Sequence, residues 1–122
     1  MIFDMKRKTI RNHNDFLTPR DGIFARAECF IVRTKLAKYP ENPRYGIIVT
    51  KRNFKLAVQR NRAKRLLRDW IANSEHLMID DFDYVFIVND KVFDATRDQG
   101  RKFMTKVLKK IARMYKFKNE KK

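Results

Sequence analysis

Residues 46–71 read GIIVTKRNFKLAVQRNRAKRLLRDWI. The β-branched run Ile47, Ile48, Val49 and Thr50 predicts a strand over residues 45–50. A segment with a different period follows. At about 100° per residue, Leu56, Ala63, Leu66, Leu67, Trp70 and Ile71 gather on one side of a helix predicted over residues 55–72. Arg60, Asn61, Arg62, Lys64, Arg65 and Arg68 spread over the other side, with Asn61 near the middle of the cationic arc. A strand therefore feeds a helix with one face for a core and one face of guanidinium and ammonium groups.

The charged face is unusual for a solvated helix. Such faces mix acids with bases at i,i+4, because like charges repel by a few tenths of a kcal/mol per pair. Here Arg60, Lys64 and Arg68 follow one another at that spacing, as do Asn61 and Arg65, with no acid between them. Residues 51–68 hold eight basic residues and no acidic one, which is half of the chain's net charge of +16. An anionic partner would offset this repulsion. Arginine outnumbers lysine four to one between positions 60 and 68, which favours bidentate contacts to phosphates and base edges. Asn61 can read a base edge or a ribose hydroxyl.

The remaining charge is uneven. Residues 1–50 carry ten basic and five acidic residues, residues 75–98 carry seven acids against Lys91 and Arg97, and residues 99–122 carry ten basic residues against Glu120. This is the pattern of a defined polyanion-binding face, with nucleic acid as the expected partner. An acidic membrane is the weaker reading, because the apolar side of the basic helix is committed to a core. The chain has 122 residues, with 43% hydrophobic and 12% aromatic side chains, so one domain over residues 1–122 is expected and a disordered basic tail is excluded. No apolar run reaches the roughly 18–20 residues that span a bilayer. The opening MIFDMKRKTIRNHND lacks the apolar stretch of a secretory signal. The single cysteine, Cys29, has no internal disulfide partner and suits a reducing, cytoplasmic setting; it reads as a small buried residue. The three glycines are isolated, which excludes a glycine-rich phosphate loop.

Other elements follow from periodicity. Residues 12–17 read as a short helix capped by Asn12 or Asn14. Residues 29–36 read as a strand with Phe30, Val32, Thr34 and Leu36 on one face and Arg33 and Lys35 on the other. The strand at 45–50 is its expected hairpin partner. The continuous apolar run at 84–88 predicts a central strand. Residues 98–117 read as a closing helix, with Phe103, Val107, Leu108, Ile111 and Tyr115 at helical spacing and Asp98 as N-cap. The expected class is α+β: a small two-layer α/β sandwich with a mixed sheet of about four strands and three helices, fraying at 116–122. His13 and His76 have no zinc-site spacing. Asp80, Asp81 and Asp83 share one loop, whereas two-metal nuclease sites gather carboxylates from several elements. The acidic stretch is expected to keep its face off RNA.

The block Arg60-Asn61-Arg62-Ala63-Lys64-Arg65-Leu66-Leu67-Arg68 resembles the RNR motif of the bacterial ribonuclease P protein subunit family. The preceding Gly46-Ile47-Ile48-Val49-Thr50-Lys51-Arg52 resembles that family's G-x-x-V-[ST]-K-[KR] strand, and Ala57-Val58, Asp15-Phe16, the strand at 84–88 and the basic closing helix follow its order. The resemblance covers roughly residues 9–115. Where the family carries a small glycine-containing turn, this chain has Asn53-Phe54-Lys55-Leu56, one residue longer and without glycine. The resemblance implies a ribonuclease P protein-like fold and a holoenzyme in which the RNA subunit cleaves the 5′ leader from precursor tRNA with Mg²⁺ that the RNA mainly binds. It implies no catalytic side chain in the protein. Arg60, Asn61, Arg62, Lys64, Arg65 and Arg68 would meet the RNA subunit; Phe16, Phe30, Thr50, Lys51 and Arg52 would line or flank a cleft for the single-stranded leader. A ribosomal or structural RNA-binding protein without a role in cleavage, and a protein-only nuclease using the 80–83 carboxylates, are the competing classes.

Overall fold

The computed structural model describes residues 5–120. A mixed sheet forms one layer, in the order β1 (Lys8–Thr9), β4 (Arg44–Ile48), β5 (Phe82–Val88), β3 (Phe30–Leu36) and β2 (Phe24–Arg26). Two helices, α1 (Ala57–Ser74) and α2 (Arg97–Glu120), form the second layer. The α+β two-layer architecture is the expected one. Among the described residues it has five strands and two α-helices, against the expected four and three.

The central position of β5 follows from its sequence. It is antiparallel to β3 and parallel to β4. Six of its seven residues are buried, so an apolar run without polar alternation fits there. This placement corrects the expected hairpin between β3 and β4. Those strands never pair, because β5 lies between them. The parallel pairing of β4 with β5 needs a long crossover, and α1 supplies it. The expected helix at 12–17 is a single 3₁₀ turn, His13–Phe16, with the Asn12 side chain accepting from the Asn14 amide at 3.0 Å. β1 and β2, of two and three residues, escaped the periodicity reading.

Both helices begin with a reciprocal or partial cap. The Gln59 side chain accepts from the Leu56 amide at 3.2 Å, at the start of α1. At the start of α2 the Thr96 hydroxyl accepts from the Gln99 amide (3.1 Å) while the Gln99 side chain accepts from the Thr96 amide (2.8 Å), a capping box. Thr96, not Asp98, therefore makes this cap; Asp98 sits in the first turn, where its charge suits the helix dipole. Residues 116–120, expected to fray, belong to α2, and 121–122 lie outside the described residues.

The core lies between the layers. Phe30 packs with ring centroids 6.3 Å from Trp70 and 6.2 Å from Phe86. Leu67, Ile71, Met104, Leu108 and Ile111 fill the remainder. Gly100 lets the two helices close: a Cβ there would stand 1.9 Å from the Trp70 indole. Leu36 and Leu56, expected on the apolar side, are instead 75% and 59% exposed. Leu36 ends its strand and Leu56 precedes its helix, so neither reaches the core.

Candidate nucleic-acid interface

α1 turns Ala63, Leu67, Trp70, Ile71 and Ser74 inward. Asn61, Arg62 and Arg65 are exposed, and Lys64 and Arg68 are half-buried at the flanks. The turn before the helix fixes its N-terminal end. The Phe54 amide donates to the Thr50 carbonyl at 2.9 Å, and the Thr50 hydroxyl accepts from the Asn53 amide at 3.3 Å. Phe54 is buried and meets Phe93 edge-on at 5.6 Å. No described residue has positive φ, so this longer turn needs no glycine. Arg60 closes it: one guanidinium nitrogen donates to the Phe54 carbonyl (2.8 Å) and the Lys55 carbonyl (3.2 Å). The Arg62 guanidinium lies 5.2 Å from the Phe93 ring centre.

Among the described residues, Arg62, Lys64, Arg65 and Arg68 form no ion pair. The acid within α1, Asp69, turns instead to α2, where Arg97 and Arg101 each donate to it at 3.0 Å. Burial alone would raise the Asp69 pKa; the hydrogen bonds from Arg101 and Arg97 outweigh burial and hold the carboxyl below its ordinary value. The cationic face is thus left without a counter-charge from its own helix.

The second surface is the sheet face turned away from the helices. Strand alternation places Gly46 and Ile48 of β4, Val85 and Ile87 of β5, Ile31, Arg33 and Lys35 of β3, and Phe24 and Arg26 of β2 on it. Phe16 crosses this face at Gly46, where a Cβ would stand 2.4 Å from its ring. The Lys35 ammonium donates to the Asp15 carbonyl at 2.8 Å and ties the 3₁₀ turn to the sheet. The Arg33 guanidinium lies 5.3 Å from the Phe24 ring centre. Half-buried isoleucines, aromatic rings and cations thus adjoin on one open surface, the combination that binds single-stranded nucleic acid.

Phe30 is not part of it. The ring is 0% exposed between Trp70 and Phe86, on the helix side of the sheet, which corrects its expected place in the cleft. Phe30 shares its face with Val32, and alternation commits that face to the core. Phe16 is on the open face. Thr50, Lys51 and Arg52 are exposed where the chain leaves β4 for α1. Phe24, Arg26, Arg33 and Lys35 join this surface beyond the residues expected from the sequence. The outward parity of Arg33 and Lys35 was the available signal; β2 offered none.

The carboxylates have other occupations. Asp83 is buried and accepts from the Arg44 amide at 2.7 Å, and Asp15 meets Arg44 and Lys38 at 3.2 Å each. Burial would raise the Asp15 pKa, but hydrogen bonds from Lys38 and Arg44 lower it below its ordinary value. Asp81 accepts from the Tyr115 hydroxyl, and Asp80 stands 3.9 Å from Arg7. Among the described residues no three His, Cys, Asp or Glu side chains converge to hold a metal. Burial pushes the Cys29 thiol up to about 11, which makes it a poor nucleophile. No helix among the described residues is long and apolar enough to cross a membrane.

Known proteins share this chain's sequence pattern and fold. The family profile described as Ribonuclease P matches residues 5–112. The ribonuclease P protein component of Pseudoalteromonas translucida is 37% identical over 71 residues, covering 58% of this chain and 50% of that protein. That of Vibrio parahaemolyticus is 35% identical over 72 residues, covering 59% and 60%. The chain thus spans about half the length of the curated relatives it matches. The solved RNase P protein of Staphylococcus aureus superposes with a TM-score of 0.66 at 27% identity, over 85% of this chain and 94% of that one. That of Thermotoga maritima gives 0.70 at 24% identity, over 85% and 97%, and shows the fold alone. The chain belongs to the ribonuclease P protein family.

Proposed function

We propose that this chain is the protein component of ribonuclease P: it binds the catalytic RNA subunit through α1 and holds the 5′ leader of precursor tRNA on the open sheet face. The observation that carries the reading is the cationic face of α1, whose Arg62, Lys64, Arg65 and Arg68 have no ion-pair partner among the described residues while Asp69 is taken up by α2. These four, with Asn61, meet the RNA subunit. Arg60 contributes by holding the turn that aims the helix. Phe16 offers a ring for stacking, with Thr50, Lys51 and Arg52 at the margin.

The division of labour rests on the family resemblance. Among the described residues, Asp15, Asp69 and Asp83 meet arginine or lysine and Asp81 meets Tyr115. In this reading cleavage belongs to the RNA subunit and the Mg²⁺ it binds. The protein contributes affinity for substrates that carry a leader and neutralises phosphate repulsion as the RNAs approach. The reading places the protein in the cytoplasm with its RNA, where a free buried thiol such as Cys29 stays reduced.

Reconstitution tests this. The purified chain alone leaves precursor tRNA intact. Added to the RNA subunit at low salt and low Mg²⁺, it accelerates release of the leader. Cleavage by the protein alone would transfer the chemistry to protein carboxylates, and no effect on RNA-subunit turnover would leave an RNA-binding protein without a role in cleavage.

A further inference from the structure

The net charge of the chain is concentrated in two places, and α1 accounts for one. Residues 101–118 hold eight basic residues and no acid, as residues 51–68 do. Outside these two windows the chain carries 14 basic and 14 acidic residues and is neutral. The second window lies on α2.

Its geometry is as ordered as that of α1. Gly100, Met104, Val107, Leu108 and Ile111 are buried and define the inward side of α2. Lys102, Lys106, Lys109, Arg113 and Lys116 lie within about 40° of a single line on the opposite side, a stripe about 21 Å long. Successive members are spaced i,i+3 or i,i+4, where like charges repel. Among the described residues, Lys102, Lys106, Lys109 and Arg113 have no ion-pair partner. Arg97 and Arg101, one turn earlier, do: Asp69 takes both. The acids of the fold thus compensate the start of α2 and leave the stripe bare.

Direction and composition identify the occupant. The stripe lies opposite the buried side of α2, as Asn61 and Arg65 lie opposite the buried side of α1, whereas the open face with Phe16 is on the other side of the sheet. Four of its five members are lysine, a hydrated point charge that meets phosphates without reading bases. No aromatic ring lies on the line itself, so it suits a duplex backbone better than splayed bases.

We propose that the Lys102–Lys106–Lys109–Arg113–Lys116 stripe of α2 is a second docking face for the RNA subunit, gripping the phosphate backbone of a helical segment beyond the one met by α1. This rests on the RNA-subunit reading above, and the test separates the two. The triple variant Lys106→Ala, Lys109→Ala, Arg113→Ala keeps helix propensity and removes three charges. Its binding to the RNA subunit is measured against salt, beside Arg62→Ala/Arg65→Ala. The expected result is a log–log salt slope shallower by about 2.7 units, about 0.9 per lost phosphate contact, with full slope kept by Lys106→Arg, Lys109→Arg, Arg113→Lys. An unchanged slope in the triple variant, with a reduced slope in the α1 variant, overturns the second face alone. Unchanged slopes in both overturn the RNA-subunit reading itself. Weaker capture of precursor tRNA by the holoenzyme, with RNA-subunit binding intact, assigns the stripe to substrate and overturns the proposal.

Discussion

Arg101 and Arg65 sit on neighbouring helices and carry the same group, but their surroundings differ. Arg101 donates to both carboxylate oxygens of Asp69, at 3.0 and 3.2 Å, and helps lock α2 to α1. Arg65 stands exposed on α1 with no carboxylate partner among the described residues. The same contrast separates two phenylalanines. Phe30 is enclosed between Trp70 and Phe86, while Phe16 lies over Gly46 on the open sheet face. A family motif marks arginines and aromatics without distinguishing these uses. The distinction comes from who already holds the side chain: groups satisfied inside the fold stabilise it, and groups without an internal partner at the surface are available to meet one.

Substitutions on each side of the divide should have separate signatures. Phe30→Ala has the largest expected effect, about 3–5 kcal/mol of folding stability, because it opens a cavity beside Trp70. Urea unfolding reads this directly. A change below about 1 kcal/mol would return Phe30 to the surface group.

Asp69→Ala comes next, at about 2 kcal/mol. It strands two guanidinium groups, and the figure is discounted from a fully buried pair because the Arg97 side chain is 57% exposed. Its pH dependence has a fixed sign. The folded pKa of Asp69 is lowered below the unfolded value, so its contribution is complete above the ordinary carboxylate range. It is lost as pH falls through the folded pKa. The variant should therefore lose stability at neutral pH and unfold with a shallower acid dependence, measured by thermal melts from pH 7 downward. Parallel acid limbs would remove Asp69 from the set of internal charges.

Phe16→Ala should act on binding. A stacked base contributes roughly 1–3 kcal/mol, so affinity for leader-bearing precursor should drop by at least about fivefold while mature tRNA is bound as before. Equal losses for both tRNAs would show that Phe16 supports the sheet through Gly46 and makes no leader contact.

Much of this was legible in the sequence where one period dominates a long segment. The basic helix, the central strand at 84–88 and the apolar face of α2 all emerged from spacing. Two short edge strands did not, because two or three residues carry no periodicity. β3 and β4 adjoin in sequence but not in the sheet, because the apolar β5 takes the place between them. The cationic arc was visible, but its internal differences were not. Helical spacing shows that Arg60 is on the charged side; it does not show two carbonyls of the preceding turn within reach. Nor does it show that Asp69 serves arginines 28 and 32 residues away.

On the function proposed above, the uncompensated cations of α1 are kept for RNA. The salt dependence of RNA-subunit binding by Arg62→Ala/Arg65→Ala tests it most directly, with unfolding free energy in urea within about 0.5 kcal/mol of the parent because both side chains are exposed. The expected log–log slope is shallower by about 1.8 units, two phosphate contacts' worth. An unchanged slope at unchanged stability would contradict it, and α1 would then carry its charge for no partner that RNA supplies.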